Sequence, residues 1–289
     1  MDIHAQLGII GGSGLYTLEG LKNISKHNVL TPFGEPSSPI VIGSLEGIQV
    51  AFLARHGVGH SINPSEVNYR ANIYALKSLG VKWIVAVSAC GSLREDYSPG
   101  DMVIPDQLFD MTKVRERSFF EEGLVAHISV ADPFCSDLSS KVQAAVAASG
   151  ANVHVGGTFI TVEGPRFSTR GESNIYRTWG MSVIGMTTSP EAFLAREAEI
   201  CYSVIAHVTD YDVWHISEEP VTVEIVMRTV QQNMVYAKEA IQNLVKVLPA
   251  DQTCQHHNAL AAALTTDAAR VPTATRKKLA LFVDKYWDQ

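Results

Sequence analysis

The sequence has little of what marks several functional classes. Its four cysteines, Cys90, Cys135, Cys201 and Cys254, are widely spaced with no CxxC pair, which excludes a disulfide framework and a zinc-finger spacing. Cys90 and Cys201 sit in apolar runs and are expected as buried small side chains, not nucleophiles. No cluster of Lys and Arg stands against a net charge of -7, so a nucleic-acid partner is not expected. No apolar run approaches the ~18 residues of a membrane span, and no basic leader precedes an apolar stretch. No membrane partner and a cytoplasmic location are the expectation. The histidines are scattered, and His256-His257 lacks a carboxylate at ligand spacing, so no metal centre is expected. The chain also lacks GxGxxG, GK[ST] and GxSxG, which removes the dinucleotide, P-loop and serine-hydrolase readings.

What is present is a well-packed α/β pattern. Hydrophobic residues make up 46% and charged residues 18% of 289, enough for one large core. Strands are expected at Gln6–Ile10, Ile40–Ile42, Gln49–Leu53, Lys82–Val87, Met102–Ile104, Thr158–Val162, Ser182–Met186 and Cys201–Val208. Helices are expected at Asn68–Leu79, Ser139–Ala148, Glu172–Trp179, Glu191–Ile200 and Glu224–Val247. This alternation implies a mixed or mostly parallel central β-sheet flanked by helices. Residues 1–250 read as a catalytic domain. Residues 251–289 read as a helical extension of that domain, with an Ala-rich helix around Ala259–Leu264 and an amphipathic helix over Arg276–Tyr286.

The most informative stretch is Thr209-Asp210-Tyr211-Asp212, two carboxylates leaving the strand Cys201–Val208. In open α/β folds ligands bind beyond the carboxyl ends of strands. Alternation along an extended exit would aim both acids one way. Such a pair suits a ligand edge rich in N–H groups, or one that must receive a proton; its plainer reading is an Asx-turn. Other strand ends carry small polar loops. Gly11-Gly12-Ser13-Gly14 can form an anion nest. Arg55-His56 offers a rigid fork with a neighbouring donor. Ser88-Ala89 and Met186-Thr187-Thr188 add hydroxyls and backbone N–H groups, and no acid sits within any of these four. In Glu163-Gly164-Pro165-Arg166-Phe167, Phe167 is placed either to stack on a flat ring or to fill core. A phosphate cradle, an aromatic wall and an acid pair at the opposite edge suggest attack by phosphate on a base-bearing sugar.

With these blocks in order, the chain resembles the methylthioadenosine phosphorylases of the trimeric purine nucleoside phosphorylase superfamily. The likeness runs over nearly all of residues 7–248 and includes Ala89-Cys90-Gly91-Ser92-Leu93-Arg94 and Pro190-Glu191. It implies a homotrimer that takes a small nucleoside with inorganic phosphate as co-substrate and needs no cofactor. Phosphate would be held by Ser13, Arg55, His56, Ser88, Ala89 and Thr187. Met186 would lie under the ribose and Phe167 against the purine, with Asp210 at N7 and Asp212 at the 6-amino group. His60, His127, Val223, Val226 and Met227 would surround the 5' end, some of them from a neighbouring subunit. The implied reaction, within purine and methionine salvage, converts 5'-methylthioadenosine to adenine and 5-methylthioribose 1-phosphate.

A carboxylate at 212 accepts from a 6-amino group but opposes a 6-oxo group, and members taking 6-oxopurines are expected to carry Asn at the N7-facing position. A phosphorylase for adenosine or methylthioinosine is the alternative within the superfamily, and a water-using nucleosidase the alternative outside it. Ser13 and Ser88 stand where relatives often have Thr, which keeps the hydroxyl. Gly185 stands where the animal enzymes have Asn, and His207-Val208 replace smaller residues before the Thr-Asp step.

Overall fold

The computed structural model describes residues 4–12, 15, 18–215, 223–248 and 254–287, with no side chains at 223 and 225. An eleven-stranded mixed sheet forms the centre. Strand β1 (Leu7–Gly11) is buried throughout and pairs in parallel with β4 (Ile48–Ala54) and β5 (Trp83–Ser92). A strand covered on both faces needs a continuous apolar run, and LGIIG supplies one. β3 (Ile40–Leu45) returns into β4 through Glu46-Gly47, both at positive φ, the backbone that a two-residue hairpin turn requires. β2 (Lys22–His27) was not expected. It is an almost fully exposed edge strand on β3, and its lysines and open face hide the alternation that marks a half-buried strand.

Helix α1 (Tyr69–Ser78) starts where the Asn68 side chain accepts from the Ala71 N–H. It stops where Gly80 adopts positive φ, with Gly80 N–H donating to Lys77 and Val81 N–H to Leu76. The sheet continues through β6 (Met102–Ile104), β7 (Gln107–Met111), β8 (Val153–Val155), β9 (Thr158–Val162), β10 (Val183–Gly185) and β11 (Cys201–Asp210). α2 (Ser136–Ala148) and α5 (Val223–Val247) pack on one face, around Leu138, Val142, Ile241 and Leu244. α1 and α4 (Thr188–Glu197) pack on the other, joined there by α6 (Thr273–Trp287) through Leu279, Phe282 and Val283. α3 (Arg170–Thr178) lies toward β9 and β10, opened by a capping box between Thr169 and Glu172. Among the described residues no helix is long and apolar enough to cross a membrane.

The tail departs from expectation. Ala259–Leu264 is a run of turns after a 3-10 turn at Gln255–Asn258, not a helix. Its backbone groups bond to the core: Leu260 N–H donates to Glu199, Ala263 C=O accepts from His127, and Leu264 bridges Ala126. A six-residue helix gains little in water, so these partners win. Glu199 is the anchor. It closes α4 at positive φ, and its carboxylate also holds Tyr286 and Lys285.

β5 positions the site. Its first half pairs with β1 as far as Ile10–Ala86, whereas β10 joins it only at Gly91 and Ser92. Between those pairings, on that edge, lie Val87 to Cys90. The ends of β1, β4 and β10 lead into this gap, a crevice of the kind ligands occupy in α/β sheets.

Candidate active site

Ser88 and Ala89 belong to β5, which runs to Ser92 instead of ending at Val87, because β11 pairs with it along that whole stretch. Ser88 is buried, and its hydroxyl oxygen lies 3.4 Å from that of Thr187, the residue that opens α4 after β10. The neighbouring hydroxyls of Thr188 and Ser189 are buried with no hydrogen-bond partner. Gly12 leaves open space above β1, while Ser13 lies outside the described residues. At Gly185 a Cβ would come within 2.6 Å of the Phe159 ring. Glycine there lets that ring pack, so the missing Asn side chain has a steric reason.

Arg55 is only 2% exposed, and its fork is occupied. Nε and Nη2 donate to the two carboxylate oxygens of Glu191 at 2.8 and 2.9 Å, and Nη1 donates to Val87 C=O at 3.2 Å. Glu191 also accepts from Tyr202 OH at 2.8 Å. Burial works against the guanidinium charge, but the Glu191 carboxylate outweighs it and holds the pKa above its ordinary value. An acid therefore does enter the cradle, delivered by α4. His56 is pushed down to about 4, by burial first and by Arg55 second. Its Nδ1 lies 2.9 Å from Ile62 C=O. In the neutral ring that nitrogen carries the proton, so Nε2 is an acceptor, not the donor expected.

At the other edge, β11 extends to Asp210 and bulges between Val208 and Asp210 opposite Cys90 and Gly91. A Cβ on Gly91 would meet Asp210 Oδ1 at 2.9 Å and Asp212 Cβ at 3.2 Å, so only glycine lets the acid turn lie on β5. Asp210 accepts from Thr209 OH at 2.6 Å and from Asp212 N–H at 2.8 Å. The Asx-turn is therefore real, and it organises the pair. Asp212 adopts positive φ, so its direction comes from this turn and the bulge, not from strand alternation. Burial raises Asp210 to about 6, with Asp212 adding to the rise, and burial raises Asp212 as well. Among the described residues Asp212 Oδ2 is buried without a hydrogen-bond partner, while Ser173 and Ser168 beside the carboxyl favour its charged form. His207 is buried and pushed down to about 4 by desolvation, hence neutral.

Phe167 is 40% exposed on the loop before α3, which sets aside the core-filling reading within a single chain. Gly164 presses on Met186: a Cβ there would lie 2.6 Å from the Met186 sulfur. His60, at positive φ, stacks on His56 with ring centroids 4.5 Å apart. Met227 is 50% exposed and Val226 half-buried on α5, while the Val223 side chain lies outside the described residues. His127 is exposed beside the tail, its N–H donating to Ala263 C=O at 2.8 Å. No hydrogen bond of its side chain links it to the other candidates.

Three residues that organise the site were given no role from sequence. Arg115 is buried and donates to the carbonyls of Met186, Ser189 and Glu163 at 2.6, 2.7 and 2.7 Å, tying the loop after β9 to the loop after β10. It lies in Lys113-Val114-Arg115-Glu116-Arg117, which reads as surface charge. Asn233 on α5 donates to Val208 C=O at 2.9 Å. Glu191 is the third, 136 residues from Arg55. Among the described residues, the His/Cys/Asp/Glu group compact enough to ligate a metal lies elsewhere, at Cys135, Cys201, Cys254 and His256.

Residues 6–246 match the model of the Phosphorylase superfamily. A relative from Geobacter sulfurreducens, named S-methyl-5'-thioadenosine phosphorylase, is 52% identical over 281 residues, covering 97% of this chain and 98% of the relative. One of the same name from Chloroflexus aurantiacus is 50% identical over 284 residues, covering 98% and 99%. Among solved structures, a methylthioadenosine phosphorylase from an antarctic soil metagenomic library superposes with a TM-score of 0.93 at 46% identity, covering 97% of this chain and 99% of that one. The Schistosoma mansoni methylthioadenosine phosphorylase in complex with adenine gives a TM-score of 0.83 at 35% identity, covering 99% and 100%.

Proposed function

The chain belongs to the phosphorylase superfamily, and from that premise we infer that it catalyses phosphorolysis of 5'-methylthioadenosine to adenine and 5-methylthioribose 1-phosphate. One observation carries the reading at the site. β5 holds Ser88, against Thr187, and three residues later Gly91, against Asp210 and Asp212. Three residues of strand span ~10 Å, enough to seat a sugar between an anion site and a base site.

In the mechanism we propose, the hydroxyls of Ser13, Ser88 and Thr187 orient phosphate below C1', beside the backbone of Ala89. The positive charge of Arg55, fixed by Glu191, favours the anion. Neutral His56 accepts a hydrogen bond from a protonated phosphate oxygen through Nε2. The glycosidic bond stretches first, positive charge grows on the sugar, and phosphate bonds to C1' with no covalent enzyme intermediate. The electron pair of the broken bond passes to the purine, and Asp210 gives or shares its proton at N7. A pKa of about 6 leaves part of the population protonated near neutrality. Asp212 accepts from the 6-amino group through Oδ2, which has no hydrogen-bond partner among the described residues. Met186 supports the ribose, Phe167 packs on the purine, and Val223, Val226 and Met227 with His60 line the methylthio end.

A trimer is part of this proposal. In the single chain Phe167 and Met227 stand open and His127 lies apart, so a neighbouring subunit would complete the 5' end. Sedimentation of the purified protein tests that point, and a monomer would remove it.

The reaction is tested by adenine release from 5'-methylthioadenosine with and without inorganic phosphate, beside adenosine and methylthioinosine. Strict phosphate dependence, a sugar 1-phosphate product and poor use of methylthioinosine are expected. Release indifferent to phosphate would overturn the cradle in favour of hydrolysis.

A further inference from the structure

We propose that Cys135, Cys201, Cys254 and His256 form a structural zinc site that fastens the C-terminal segment to the core. They lie at the opposite end of β11 from the acid pair, since Cys201 begins the strand that Asp210 ends. That is ~30 Å of strand, so the inference stands apart from the reaction.

The ligand atoms of the four residues all lie within 4.8 Å of one another, and all four side chains are buried. Three sulfurs and one imidazole nitrogen are the donor set of a closed, tetrahedral zinc site. Zn–S bonds of about 2.3 Å in a tetrahedron put sulfurs about 3.8 Å apart. The Cys135 and Cys254 sulfurs are 3.6 Å apart, too far for a disulfide, whose S–S bond is about 2.05 Å.

A second observation points the same way. His256 is 7% exposed, and among the described residues its buried Nδ1 has no hydrogen-bond partner. An imidazole drawn into the interior with an orphaned nitrogen is costly unless something uses the ring.

The surroundings suit an anionic centre. Zn²⁺ with three thiolates and a neutral imidazole carries one net negative charge. Buried Arg196, held by the carbonyls of Ser129 and Asp132, interacts electrostatically with all three cysteines. Cys135 is the N-cap of α2, which places it at the positive end of that helix. Binding replaces three thiol protons with the metal.

Two ligands come from the N-cap of α2 and the start of β11, inside the stretch matched by the family model, and two from beyond it. The metal would therefore join the matched domain to the segment that carries α6. No sequence motif announces this, because the fold assembles the set from three separate elements.

The test uses the full-length chain, reduced and anaerobic. Metal analysis after growth with zinc is expected to give about one zinc per chain. Titration with Co²⁺ alone is expected to give sulfur-to-cobalt charge transfer and the intense visible bands of tetrahedral cobalt. Cys254→Ser and His256→Ala, both on the tail, should each lose most of the bound zinc. A wild-type cobalt spectrum without charge transfer overturns the site whether or not the variants fold. So does mass spectrometry of unreduced, metal-free protein showing these cysteines paired in a disulfide.

Discussion

The two ends of the crevice solve the problem of buried charge in opposite ways. At the end proposed for phosphate, Arg55 and Glu191 are both buried and satisfy each other bidentately, with Tyr202 and two backbone carbonyls completing the cluster. At the end proposed for the purine, Asp210 and Asp212 form no ion pair with any cation among the described residues. One has its pKa raised to about 6, and the other leaves an oxygen unpaired. The first arrangement is compensated before any ligand arrives, and the second is not. In the proposed mechanism the first end holds the anion with a cation already fixed in place, and the second keeps a proton to give away.

The sharpest way to break the comparison is to uncompensate the first end. Glu191→Ala leaves a guanidinium and a tyrosine hydroxyl buried without their acceptor. That costs about 3–5 kcal/mol, a large share of the about 5–15 kcal/mol that holds a domain together. Urea unfolding should show this, with activity lost alongside. Arg55→Met combined with Glu191→Leu removes both charges and is expected to restore most of the stability without restoring phosphate-dependent turnover. Turnover in that double variant would reduce the pair to a strut.

Asp210→Asn compensates the second end and is expected to lower kcat on the order of 10²- to 10³-fold with little loss of stability. The pH dependence has a definite sign. A carboxyl whose folded pKa is raised from 3.8 to about 6 keeps its proton in the native state while the unfolded chain gives it up. It therefore lowers stability as pH rises from about 4 to about 6, by roughly 3 kcal/mol in total. His56, pushed down to about 4, acts oppositely, since stability is lost as pH falls from about 6.5 toward 4. The difference between wild type and Asp210→Asn isolates the first slope. The wild type is expected to lose kcat as pH rises above about 6, and the same variant should lose that decline. A retained decline would assign that limb to another group.

The difference between the ends also explains what was legible in the sequence. Thr209-Asp210-Tyr211-Asp212 announces itself because two acids stand together after an apolar run, although the turn and bulge, not alternation, aim them. Most strands and helices were readable from periodicity, and the sheet is of the mixed kind expected. The strands passed over, β2, β7 and β8, are short, exposed or mixed in polarity. Glu191 and Arg115 were silent for another reason. Each looks like an ordinary charge locally and acquires its role only when distant segments close around it. The Ala259–Leu264 turns show the same principle in the backbone, where partners on the core override helix propensity.

Smaller effects sharpen the base end. Asp212→Asn offers the purine a side chain that can donate, so the kcat/KM ratio of 6-amino to 6-oxo substrates should fall by about 1–3 kcal/mol, or roughly 5- to 150-fold. An unchanged ratio would place base discrimination elsewhere.

The smallest effect is expected at the 5' end. Met227 is 50% exposed in the single chain, so Met227→Ser removes only about half of a buried methionine's apolar transfer energy, ~1 kcal/mol. The kcat/KM preference for methylthioadenosine over adenosine should then shift roughly fivefold. A shift well beyond that would mean the side chain is fully covered in the working enzyme, and in the proposed trimer the cover is a second copy of the chain. His127→Ala then discriminates. It should move KM only if that residue reaches a neighbour's site, because within its own chain its backbone is bound to the tail.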